Sequence, residues 1–88
     1  MIKAGYNITF IYGDCFACDY AERLLKRYNM FEDIKKVHSD SDEGIELKKK
    51  YNFVTIPNVI VSFDNSVIKV YRGLERNDIL KIKQECFI

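Results

Sequence analysis

Two cysteines flank a dipeptide in Cys15-Phe16-Ala17-Cys18, just behind an uncharged run, Ile8-Thr9-Phe10-Ile11-Tyr12, and a Gly13-Asp14 break. Thiols at this spacing can exchange disulfides, supply half of a zinc site, or simply pack. Zinc wants four ligands, and the remaining chain offers only Cys86 and His38, so disulfide exchange fits the context better. Past the break, Ala17, Ala21, Leu24 and Tyr28 recur at helical intervals among Asp19, Glu22, Arg23, Lys26 and Arg27, which puts Cys15 on the first exposed turn of a helix. Unsatisfied N–H groups and the dipole at such a terminus favour negative charge. They should stabilise a Cys15 thiolate relative to a free thiol, whose pKa is about 8.5. Only a thiolate attacks a disulfide, and a second thiol must then release the mixed disulfide. Cys15 is expected to attack. Cys18, one turn on and less exposed, is expected to resolve.

Asp14 works against the thiolate. An exposed neighbouring charge contributes less than about 1 kcal/mol, against about 0.3–1 kcal/mol from a helix terminus, or about 2 when partly buried. The balance favours a Cys15 pKa below a free thiol's, without the extreme depression of a strong oxidant. That suits a reductant or general exchanger.

The elements that must position this pair follow from pattern. Ile8–Tyr12 is written like a central strand covered on both faces. Asn29, Met30 and Phe31 make a connection, and Ile34 to His38 a short strand. Ser39-Asp40-Ser41-Asp42-Glu43 offers a helix start near Ser41 or Asp42. The helix runs to Tyr51, with Ile45 and Tyr51 as buried points and Leu47 less clear, and Asn52 to Pro57 is a loop. Val59, Ile60, Val61 and Phe63 form a buried strand. Asp64-Asn65 fits a two-residue hairpin turn, and Val67 to Tyr71 returns, with Lys69 suggesting an edge. Gly73 punctuates, and Asn77 or Asp78 can cap a last helix through Ile79, Ile82 and Cys86. A strand–helix–strand crossover makes the first two strands parallel and right-handed, and the hairpin makes the last two antiparallel. The expected architecture is α/β, a mixed sheet in the order 2-1-3-4, with helices one and three on one face and helix two on the other.

Bulk properties narrow the function. The 88 residues suit one domain, able to remove roughly 60–65% of its unfolded surface from water. With 48% hydrophobic and 31% charged residues the composition is that of a soluble globular protein. No apolar run approaches the ~18 residues of a membrane span, and Met1 to Gly5 carries neither the apolar segment nor the cleavage site of a signal peptide. A net charge of +1 gives no reason to expect nucleic-acid or membrane partners, and Lys48-Lys49-Lys50 reads as a solvated helix face. Three cysteines is an odd count for a stapled secreted scaffold. A reducing cytoplasm is expected, where a Cys15–Cys18 disulfide forms transiently during turnover. Cys86, in phase with Ile79 and Ile82, reads as packing, and His38 as the structural end of a strand.

A strand leading into Cys15-Phe16-Ala17-Cys18 at a helix start, followed by Thr55-Ile56-Pro57, resembles the thioredoxin and glutaredoxin family over nearly the whole chain. The resemblance implies a thioredoxin fold, with a cis bond before Pro57 facing the dithiol and the backbone of Ile56 offered to an extended substrate. It implies reduction of protein disulfides through Cys15 and Cys18, with Ala17, Thr55, Ile56, Pro57 and Gly73 at the substrate site. By position, Tyr12 either borders that site or joins the core, and Phe16 either contacts substrate or packs on its loop. It also implies a monomer with no metal or organic cofactor, recharged by a thioredoxin reductase or by glutathione. The other readings are a glutathione-dependent glutaredoxin, a binding module on the same scaffold, and a dimer bridged by an iron–sulfur cluster. The chain departs from the family pattern in several places. Phe16-Ala17 matches neither the Gly-Pro of thioredoxins nor the Pro-Tyr of glutaredoxins. Asp14 replaces a tryptophan, and Thr9 a buried acid, of thioredoxins. Arg72-Gly73-Leu74-Glu75 holds one glycine of the Gly-Gly glutathione signature.

Overall fold

Four strands and three helices are encoded by the pattern of apolar residues, and a computed structural model describes all of them from Met1 to Ile88. In order they are β1 (Tyr6–Tyr12), α1 (Phe16–Arg27), a single 3-10 turn at Phe31–Asp33, β2 (Lys35–His38), α2 (Asp42–Tyr51), β3 (Asn58–Phe63), β4 (Ser66–Arg72) and α3 (Arg76–Cys86). The sheet order is β2-β1-β3-β4. β1 runs parallel to β2, with Ile11 opposite Val37, and antiparallel to β3, with Ile11 opposite Asn58. β4 returns along β3 as the edge. Both residues of the hairpin turn, Asp64 and Asn65, take positive φ (49° and 68°), as the tight turn matched to strand twist requires.

Alternation along β1 and β3 divides the interior into two layers. Ile8, Phe10, Val59 and Val61 meet Ala21, Leu24 and Leu25 of α1 and Ile79, Ile82 and Cys86 of α3. On the opposite face Ile11, Val37 and Ile60 pack with Phe53, flanked by Leu47 and Tyr51 from α2 and its exit. A strand that must fill both layers cannot alternate polar and apolar, which is why β1 and β3 read as nearly continuous apolar runs.

Several local expectations are corrected. Ala17 is exposed, and the buried stripe of α1 begins at Cys18 and includes Leu25. Ile45 is exposed, and only Gly44 of α2 is fully buried, because Gly44 lies directly against the His38 carbonyl, where a side chain would collide. Phe63 reaches the sheet's rim, where it stacks at a tilt on Tyr6 and stays partly exposed. The α3 cap is Glu75, not Asn77 or Asp78. Asp78 instead accepts from the Glu75 backbone N–H at 3.0 Å, the return half of a capping box.

Candidate active site

The carboxyl end of β1 delivers the chain to Cys15, which is the N-cap of α1 in extended geometry (φ −152°, ψ 155°). Its sulfur takes the part an Asp or Ser oxygen usually plays at that position. Cys15 Sγ accepts from the Cys18 N–H at 3.0 Å, while its carbonyl accepts the first intrahelical bond from Asp19. The two sulfurs are joined in a disulfide, with Cα atoms 5.1 Å apart. Cys15 is half-buried and Cys18 is 3% exposed. Cys18 Sγ in turn accepts from the Gly13 N–H, at 3.4 Å in a buried setting. Each sulfur therefore has a backbone N–H aimed at it. Once the pair is reduced, those donors and the helix terminus stabilise negative charge on either sulfur.

The exposed side of this pair is an open pocket lined by Asp14, Cys15, Phe16 and Asp19. Phe16 is 94% exposed, so its ring is an apolar surface next to the Cys15 sulfur rather than part of the core. Asp19 was not singled out from sequence, although a residue four after the cap lies over it on the helix surface and the spacing alone could have found it. Two carboxylates thus border Cys15. Arg72 is engaged elsewhere: its guanidinium donates to the Tyr51 carbonyl at 2.8 Å and lies over the Phe53 ring.

A second segment lies at the same end of the sheet, with Ile56 against Gly13. The Ile56–Pro57 bond is cis, Pro57 is buried, and its carbonyl accepts from the Gly73 N–H at 3.0 Å. Gly73 has φ +84° with open space where a side chain would be, so backbone conformation and not crowding calls for glycine there. Gly13 is the reverse case. A Cβ on it would stand 2.6 Å from Ile56 Cδ1 and 3.0 Å from Ser39 Oγ. A side chain on Gly13 would therefore displace the ends of the Ile56 and Ser39 side chains, beside the N–H that holds Cys18. Thr55 is exposed, and its carbonyl accepts from Asn58 Nδ2 at 2.6 Å. The backbone N–H and C=O of Ile56 enter no backbone hydrogen bond of the chain.

The structure thus gathers Cys15, Cys18, Phe16, Ile56 and Pro57 at one end of the sheet, with Gly73 behind. Ala17 is exposed next to Phe16. Tyr12 is less free: its ring stacks on Phe10 at 5.8 Å and meets His38 edge-on at 5.3 Å, against the larger core layer. His38 is likewise occupied, its Nδ1 accepting from the Asp40 N–H. Cys86 lies at the far end of the molecule, where its carbonyl accepts from the Lys3 N–H before β1 begins. Sequence reasoning passed over Gly13, Ser39 and Asp19 at this end of the sheet, and Asn58, which lies behind it bonded to Thr55.

No protein-family model matches the chain, and no curated protein matches it. Solved structures do match. A thioredoxin from Halobacterium salinarum, carrying a point mutation, superposes with a TM-score of 0.67 at 22% identity, over 96% of this chain and 77% of its own. A thioredoxin from Malassezia sympodialis gives a TM-score of 0.72 at 11% identity, over 92% of this chain and 74% of its own. The oxidised mitochondrial thioredoxin 3 of Saccharomyces cerevisiae gives 0.66 at 20% identity, over 88% of this chain and 74% of its own. These superpositions, together with the sheet order β2-β1-β3-β4 and the order of helices and strands, show that the chain has the thioredoxin fold.

Proposed function

We propose that this protein is a thiol–disulfide oxidoreductase that reduces disulfides in protein partners. The observation that carries the reading is the asymmetry of the sulfur pair. Cys15 borders an open pocket at a helix N-terminus, while its bonded partner Cys18 is buried one turn on, under the Gly13 N–H. In the reduced protein the Cys15 thiolate attacks one sulfur of a substrate disulfide, forming a mixed disulfide and expelling a substrate thiolate. Cys18, as thiolate, then attacks Cys15 Sγ, forms the Cys15–Cys18 disulfide and releases the second substrate thiolate. Two electrons pass to the substrate, and an outside dithiol or a pair of thiols returns them.

Ile56 and Pro57 take the substrate backbone in this scheme, with Ile56 N–H and C=O free for an extended segment. Phe16, Ala17, Thr55, Tyr12 and Gly73 complete the contacting surface. The chemistry calls for no metal or organic cofactor, and the protein works as a monomer in a reducing compartment such as the cytoplasm. No helix is long and apolar enough to cross a membrane. The electron donor is a thioredoxin reductase rather than glutathione, because the anionic tripeptide would have to approach Cys15 between Asp14 and Asp19.

Turnover of insulin disulfides with NADPH and a thioredoxin reductase, compared with turnover on glutathione, tests this directly. Activity should appear with the reductase and vanish in Cys15→Ser. A Cys18→Ser variant should accumulate the mixed disulfide. Absence of insulin reduction with either donor, with Cys15→Ser indistinguishable from wild type, would sink the assignment.

A further inference from the structure

We propose that Asn58 is a positioning residue for substrate docking: from inside an apolar layer its amide ties down the Thr55 carbonyl, and so fixes the Ile56 backbone against which a polypeptide disulfide pairs. The inference rests on the docking role given to Ile56 above and adds a residue to it.

Strand alternation puts Asn58 on the face shared by Ile60, and its cross-strand neighbour Ile11 belongs to the same layer. An aliphatic side chain is what that layer favours. The chain instead places an amide there, 1% exposed. Its orientation is fixed by chemistry, since a carbonyl partner can only accept, so the nitrogen must face Thr55 O. That leaves Oδ1 buried with no donor from the chain. An unmet buried acceptor lowers stability, and each such atom in a native fold calls for a reason.

The reason lies three residues upstream. The Asn58–Thr55 bond spans the Thr55-Ile56-Pro57 turn and anchors its first carbonyl. Gly73 N–H anchors the last one, on Pro57, and Gly13 makes room for the Ile56 side chain between them. Three restraints surround a residue whose own N–H and C=O pair with no backbone group of the chain. Preorganising a docking edge in this way reduces the ordering cost when a partner strand arrives. A small disulfide has no strand to pair and gains nothing from it.

The test uses the full chain, pre-reduced, so that no electron donor enters. Its oxidation by insulin and by 2-hydroxyethyl disulfide is followed against substrate concentration in wild type, Asn58→Leu and Asn58→Ala. Half-saturation with insulin is expected to rise about three- to tenfold in both variants, the scale of one neutral hydrogen bond. Rates with 2-hydroxyethyl disulfide should not change. Asn58→Leu should melt no lower than wild type, while exchange of the Gly73 amide quickens. Unchanged half-saturation with insulin in a folded variant overturns the proposal. So does an equal loss on both disulfides that tracks a lower melting temperature, since the amide would then be structural only. If leucine overpacks the layer and does not fold, the alanine variant decides. Wild type reacting with neither disulfide would defeat the dithiol assignment itself, a different failure from either of these.

Discussion

The molecule carries sulfur at both ends of its sheet, and the two environments are opposites. Cys15 caps the N-terminus of α1, where backbone N–H groups converge on the sulfur pair. Cys86 is the last residue of α3, at the negative end of the helix dipole, where the Lys3 N–H holds its carbonyl. Burial pushes the Cys86 thiol above its ordinary value, and Glu85 adds to the effect while Lys3 opposes it. Its side chain is 1% exposed in the layer shared with Ile79 and Ile82. The same functional group thus stands beside solvent at a helix N-terminus at one end and is buried at a helix C-terminus at the other. On the proposed function that contrast separates a reactive thiol from an inert one.

Exchanging the cysteines one at a time gives the largest contrast. Cys15→Ser should abolish disulfide reduction. Cys86→Ala should leave turnover unchanged and lower unfolding free energy by roughly 1 kcal/mol, the cost of a small cavity, as read from urea denaturation. Equal activity losses would mean that the far end takes part in the chemistry. Alkylation sharpens the comparison next. With reduced protein at neutral pH, iodoacetamide should modify Cys15 at least about a hundredfold faster than Cys86, because thiolate fraction falls tenfold per pKa unit and burial adds to it. Peptide mapping by mass spectrometry would read the two rates.

Smaller effects probe the charges at each end. Asp14→Asn with Asp19→Asn should lower the ratio of cystamine to oxidised-glutathione reduction rates about three- to tenfold at low salt. The difference should fade by about 0.5 M salt, as expected for exposed charges. A ratio unmoved by the double substitution would remove the carboxylates from substrate choice. The smallest effect belongs to two buried groups, Tyr71 and Cys86, in alkali. Tyr71 is also raised above its ordinary 10.0, first by burial and then by Glu85, Asp78 and Cys86. Both groups are more easily ionised in the unfolded chain than in the folded one. Their stabilising contribution is therefore complete below their ordinary values, and is lost as pH rises through the raised ones. Urea midpoints should fall across that range, and Tyr71→Phe with Cys86→Ala should flatten the slope.

Much of the fold was legible because its signals are local. The run Ile8–Tyr12, the Asp64-Asn65 turn, the Ser41 cap and the order of helices and strands each depend on neighbours within a few residues. The misread points depend on what lies across space. Ile45 looked buried by spacing, yet α2 rests on the sheet through Gly44. Ala17 fell on the apolar stripe of α1, but the stripe begins a residue later because the helix starts at its cysteine cap. Glu75 was overlooked as a cap because Asn77 and Asp78 are the commoner choices.

The amino-acid sequence by itself determined the sulfur pair, the helix that begins at it and the strand that aims it, since spacing, capping and alternation are properties of a short stretch of chain. Only the tertiary structure decided what surrounds the pair. The space beside Gly13 is filled by Ile56, more than forty positions later, and Asn58 turns its amide toward Thr55 inside a layer otherwise apolar. Those contacts arise when distant segments pack at one end of a sheet, and close packing between segments leaves no periodic trace in either of them.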